Sequence, residues 1–174
     1  MSDKIEIIDE IEYVIRDKNG KVKKHYIQKH NWLYKLLVKL HLKKPNCLTN
    51  AGFAEVAGLI LTDVGGTAFD YIAIGTGTTP ADSTDTALET EVKRKTATGT
   101  RITVSVTNDT AQLVATFSSG DGLSGTDNIT EVGVLNAASN GTLLMHQVFT
   151  AEIMNWDSGD SIEMIIKIQC KQGT

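Results

Sequence analysis

The chain has 174 residues, 41% hydrophobic and 22% charged, which is the size and composition of one globular domain with its own core. Two prolines against 15 glycines exclude collagen-like and proline-rich linker classes, and no apolar run reaches the length of a membrane span. The formal net charge of −4 hides an asymmetry: residues 1–45 carry 11 Lys+Arg and 6 Asp+Glu, whereas residues 46–174 carry 6 and 15.

So acidic a body repels phosphate, and nucleic acid is not expected as the main partner. The basic front is expected instead to meet the acidic body of another copy or of a neighbouring protein. No apolar signal segment follows Met1-Ser2-Asp3-Lys4, which predicts a protein made and kept in a cytosol-like compartment unless a lysis event or a partner carries it out. Cys47 and Cys170 have neither CxxC spacing nor a histidine cluster and read as buried free thiols rather than a disulfide or zinc site.

Ile5, Ile7, Ile11, Tyr13 and Ile15 alternate with polar residues, the period of a half-buried strand, with an expected bulge at Ile8 and Asp9. Asp17-Lys18-Asn19-Gly20 supplies a tight turn, and residues 21–27 run back as the partner strand. Asn31 caps an expected helix over residues 32–44, stopped by Pro45. Its Leu33, Leu36, Leu37 and Leu40 form one stripe and Lys35, Lys39 and Lys43 another, a pattern for packing on a domain or lying on a membrane surface. A second helix is expected over residues 50–61, capped by Thr49 or Asn50.

From there the pattern is β: strands are expected at residues 69–74, 101–107, 111–117, 129–135, 142–149 and 161–169. Turns fall at Asn108-Asp109, Ser139-Asn140-Gly141 and Asp157-Ser158-Gly159-Asp160, and one or two helical turns are expected around residues 87–92. Short strands between Gly/Asn/Asp turns predict a mainly β fold, an antiparallel β-sandwich or jelly roll with an N-terminal hairpin and one or two helices. Residues 1–45 form a basic attachment element in this reading, and residues 46–174 the β-sandwich body.

Chemistry is sparse. Gly75-Thr76-Gly77 follows a strand, but Pro80 stands at the third glycine position of a dinucleotide fingerprint and no βαβ unit surrounds it. Gly75, Gly77, Gly133 and Gly141 therefore read as structural turn residues. His25, His30, His41 and His146 show no metal-binding pairing, and a lone strand histidine such as His146 reads as packed or hydrogen-bonded. Asp82 with Asp85, and Asp157 with Asp160, are the weak candidates for a hard cation, although both are ordinary turn and cap sequences. No nucleophile elbow or Cys/His constellation is visible, so neither cofactor nor metal is expected. Asn108, Asn128 and Asn140 head Asn-x-Thr triplets, read as chance matches in a Thr-rich chain.

The stretch from Phe69 to Val92, with Gly75-Thr76-Gly77-Thr78-Thr79 and then Ala87-Leu88-Glu89-Thr90-Glu91, resembles a pattern in structural proteins of tailed bacteriophages and related archaeal viruses. Ile129-Thr-Glu-Val-Gly-Val-Leu-Asn136 and Gly141-Thr-Leu-Leu-Met-His-Gln-Val-Phe149 look like its second and third blocks, and Asn50-Ala-Gly52 precedes the first. The similarity covers residues 48–170. It implies a non-enzymatic virion component of tail, baseplate, fibre or capsid exterior (decoration), made in the host cytoplasm, homo-oligomeric and partnered by other virion proteins. Trp32, Lys35, Lys39, Lys43 and Lys44 are the interaction residues expected in the basic front.

Glu131 falls among aliphatics, and an arginine such as Arg94 or Arg101 is its expected buried partner. Two other classes compete with the assembly reading. One is a carbohydrate- or receptor-binding module at a fibre tip; the other is a small hydrolase on a jelly-roll scaffold.

Overall fold

The computed structural model describes residues 5–28, 47–61 and 65–172. In chain order these form β1 (Ile5–Arg16), β2 (Val22–Ile27), β3 (Cys47–Leu48), α1 (Asn50–Leu59), β4 (Tyr71–Gly75), β5 (Glu91–Thr96) and β6 (Thr98–Ile102). They continue with β7 (Thr110–Phe117), β8 (Thr126–Leu135), β9 (Leu143–Asn155) and β10 (Ser161–Gln172). Two antiparallel five-stranded sheets result, one ordered β2-β1-β10-β7-β6 and the other β3-β9-β8-β4-β5. The fold is a β-sandwich, as the turn spacing predicted. The expected helix over residues 32–44, with Trp32, Lys35, Lys39, Lys43 and Lys44, lies outside the described residues. No described helix is long and apolar enough to cross a membrane.

The hairpin is part of the sandwich. Strand β1 lies inside its sheet and pairs with β10 without a break from Ile5↔Gln172 to Arg16↔Ser161. Its Ile11, Tyr13 and Ile15 sit in the main core beside Phe117, Met164 and Ile166. The division at residue 45 therefore does not hold for the hairpin, whose removal would open the core and expose all of the β10 edge. The bulge expected at Ile8 and Asp9 is also absent: the period of two continues, and Asp9 is buried among the inward residues. Where β1 meets β2, the register shifts between Ile15 and Arg16. Tyr13 stacks on Tyr26 with centroids 5.0 Å apart, and its hydroxyl donates to the buried Glu152 at 2.5 Å. Burial, then that bond, pushes the Tyr13 pKa well up.

The two sheets are buried differently, and the sequence carries the difference. In the first, β10 alternates between buried and half-exposed residues through most of its length, as a sheet with one wet face should. In the second, Ile129–Leu135 of β8 and Leu143–Val148 of β9 are continuously buried, because α1 and the segment 76–90 cover its outer face. Helix α1 begins at Thr49, whose hydroxyl oxygen accepts from the Gly52 N–H at 2.9 Å. Gly52 lies so close to β9 that an added Cβ would be 2.7 Å from the Leu144 Cα.

Two expected boundaries move. The helical turns around residues 87–92 are not formed; residues 76–90 are loop and turn, and Glu91–Thr96 is a sheet-edge strand. Strand β6 ends at Ile102 rather than running to Thr107, because Asp109 draws the next backbone groups inward. Its carboxylate accepts from the N–H groups of Val104, Ser105 and Val106 at 2.9–3.0 Å.

Candidate functional site

The residues that carry the resemblance converge on the outer face of the second sheet. Glu131 on β8 and His146 on β9 are each the single ionisable residue in an apolar run. Their strands pair with Gly133 opposite His146 and Val148 opposite Glu131, which brings the two side chains together on one face. His146 Nε2 is 3.0 Å from Glu131 Oε2, and His146 Nδ1 is 2.7 Å from Asp85 Oδ2 in the covering segment. Glu131 is 0% exposed and His146 3%.

Carboxylate oxygens only accept, so an imidazole held between two of them donates from both nitrogens and carries a proton at each. Burial opposes that charge, but the hydrogen bonds to Glu131 and Asp85 outweigh it and raise the His146 pKa above its ordinary value. Burial likewise opposes ionisation of Glu131. Its bonds from His146 and from the backbone of Thr90, Gly77 and Glu89 prevail and lower its pKa.

The same carboxylate pins both ends of the covering segment. Oε1 accepts from the N–H of Gly77 at 2.9 Å and of Thr90 at 2.8 Å, and Oε2 from the N–H of Glu89 at 3.0 Å. The hydroxyl of Thr130 adds a bond to the Gly77 carbonyl at 2.7 Å. Glu89 closes the loop from its other side, accepting from the N–H groups of Thr78 and Thr79 at 2.6 and 2.7 Å. Gly75 and Gly77 leave the room for this. A Cβ at Gly75 would meet Glu131 Oε1 at 2.4 Å, and one at Gly77 would meet it at 2.6 Å.

These two glycines are thus sites of close approach rather than of unusual turn geometry. Gly133 sits within β8, where a Cβ would collide with Leu88. Of the four expected turn glycines, Gly141 alone has a positive φ, +78°, in the turn joining β8 and β9.

The partner expected for Glu131 is corrected: it is His146 and three backbone N–H groups, not an arginine. Arg94 is engaged elsewhere, bonded through both terminal positions to Glu91 and to the Ala137 and Asn140 carbonyls. Arg101 lies exposed on β6, at the edge of the opposite sheet.

The aspartates considered for a cation hold protein groups. Asp82 Oδ1 accepts from the Thr84 N–H and hydroxyl, and Asp85 Oδ2 from the Asp82 N–H as well as His146. Asp157 accepts from the Gly125 N–H, and Asp160 from Lys23 Nζ at 2.7 Å. Among the described residues no group of three or more His, Cys, Asp or Glu side chains is placed to hold a metal ion.

Cys47 stands opposite His146 in the β3–β9 pairing, a juxtaposition invisible in the sequence. Burial, followed by the charges of Asp82, Asp85 and Asp9, pushes the Cys47 pKa up. That is the reverse of an activated thiolate. Cys170 is exposed rather than buried, and both thiols are free.

Searches for likeness add nothing to this geometry: no family model, no curated protein and no solved structure matches the chain.

Proposed function

We propose that the chain is a non-enzymatic virion structural protein, a subunit that assembles as a tail, baseplate or capsid-exterior component of a tailed-phage-like particle. The observation that supports this most is the fate of the ionisable groups in the resembling blocks. Asp85, Glu89, Glu131 and His146 hold one segment on the sheet, and both nitrogens of His146 are already occupied by carboxylates. An imidazole so held has no lone pair with which to take a proton from a nucleophile. The resemblance supplies the particle; the clamp supplies a reason for titratable residues in a protein that works by shape.

Imaging of purified particles carrying a labelled copy tests the proposal. Label at defined, symmetry-related positions on tail or capsid is the expected result. A protein that partitions away from particles and turns over a substrate as a monomer would overturn it.

A further inference from the structure

A sheet edge is a row of unpaired backbone groups, and proteins blunt edges with short strands, lysines and irregularities. Among the described residues the two sheets have four edge strands, and three of them follow that rule. Strand β3 has two residues. Strand β2 carries Lys23 and Lys24 beside a register shift. Strand β5 carries Lys93, Arg94 and Lys95, also beside a shift.

Strand β6 does not follow it. Its Thr98, Gly99, Thr100 and Arg101 are exposed, its pairing with β7 is regular from Thr98 to Ile102, and it holds a single cation.

The loop after β6 extends this edge with a rigid apolar tip. Val104 is 58% exposed and Val106 69%. The backbone that presents them is tied to Asp109, which also accepts from Gln169 Nε2 at 2.7 Å and the Thr110 hydroxyl at 2.9 Å. Two outward valines on a pre-ordered turn lose little conformational freedom on being covered.

We infer that β6 is a docking edge for a second copy of the same chain, pairing antiparallel with its counterpart about a two-fold axis at Thr100. The strand is complementary to itself in that register. Thr100 faces Thr100, Thr98 faces Ile102, and each Arg101 faces a Gly99 around which a Cβ would find open space. The two guanidinium groups are then diagonal rather than opposed, which avoids the cost of directly facing like charges. A two-fold pair of this kind is closed and joins two five-stranded sheets into one continuous sheet. The inference rests on the reading of the chain as an assembling subunit and names the surface it uses.

The test is sedimentation velocity on the full chain over about 1–100 µM, the range in which a modest interface changes occupancy. Wild type should self-associate. Thr100→Lys places two lysines opposite each other and should weaken association about tenfold or more, with the melting temperature unchanged.

A second variant reads the register directly. In a Cys170→Ser background, Thr100→Cys should give a disulfide-linked dimer under mild oxidation. Opposed Cα atoms in an antiparallel pair lie about 4.5–5.5 Å apart, inside the disulfide range. A wild-type monomer throughout the range would overturn the inference. So would self-association that persists in Thr100→Lys without cross-linking in Thr100→Cys; that result would leave the assembly reading standing and move the contact to another face. Failure of the assembly reading is read separately, from particle labelling.

Discussion

Glu131 accepts four hydrogen bonds with two oxygens, one from a charged imidazole and three from the backbone of the covering segment. Glu131→Gln keeps the shape but replaces one acceptor with an NH2 group, so at least one buried donor is left facing another donor. The expected loss is about 3 kcal/mol, which for a domain of this length lowers the melting temperature by on the order of 10 °C. Thermal unfolding followed by circular dichroism measures it, and an unchanged midpoint would show that the clamp contributes nothing.

His146 makes the same clamp pH-dependent. Its pKa is raised on folding, so its contribution is full below the ordinary histidine value of about 6.5 and is lost as pH rises through the folded value. The Glu131 pKa is lowered, so its contribution is full above about 4.3 and is lost as pH falls through the folded value. Wild type should therefore melt highest in mildly acidic solution and lose stability as pH rises above about 6.5, and His146→Gln should lose most of that decline. A parallel decline in both proteins would remove His146 as its source. The two residues announced themselves as isolated charges in apolar runs. That they meet each other, rather than Glu131 meeting an arginine, depends on cross-strand register and was not legible locally.

Segment 76–90 and loop 103–109 are both built by side chains that capture backbone, and in both the local pattern points to a different element. Asp82-Ser83-Thr84-Asp85 reads as a helix cap, yet Asp85 is drawn to His146 and the following residues to Glu131, so the helix is given up for tertiary bonds. Arg101 to Thr107 alternates as a strand should, yet Asp109 bends residues 104–106 into a turn. Burial opposes the Asp109 charge, but Gln169 and the N–H groups of Val106, Val104 and Ser105 more than compensate and hold its pKa well down. Asp109→Ala should release this loop while leaving both sheets intact. Amide exchange at Val104–Val106 should rise to the rate of open loops with β7 protection retained; unchanged protection would mean that the carboxylate is not what orders the turn. What the pattern did convey was burial. The runs 129–135 in β8 and 143–148 in β9, each with a single ionisable residue, lack the polar alternation of a half-exposed strand and mark strands covered on both faces, and the alternation in β1 and β10 marks a sheet with one face in water. Charged Glu91–Thr96 carries neither signature, because an edge strand needs little apolar surface.

The excess positive charge of residues 1–45 is narrower than the division at residue 45 suggests. Residues 5–28 hold five basic and five acidic side chains, whereas residues 29–45 hold five lysines and no acid. The hairpin spends its charge at home: Lys23 pairs with Asp160 at 2.7 Å, Lys24 with Glu152 at 2.5 Å, and Lys167 of β10 with Glu10 of β1 at 2.7 Å. If the basic front docks on an acidic neighbour, Lys35, Lys39, Lys43 and Lys44 are the cations the sequence assigns to that contact, and they should behave differently from Lys23 and Lys24. Lys23→Ala and Lys24→Ala remove half-exposed ammonium groups from buried carboxylates and should lower stability by about 1 kcal/mol each, without altering the salt dependence of attachment. Replacing Lys35, Lys39, Lys43 and Lys44 together by glutamine should leave the melting temperature in place and flatten the salt dependence of attachment to particles. Screening over a Debye length of about 8 Å at physiological ionic strength weakens only contacts that rely on exposed charge. Binding to depleted particles at low and high salt measures this, and an equal salt response in the quadruple variant would show that the lysine-rich segment makes no charged contact with the particle.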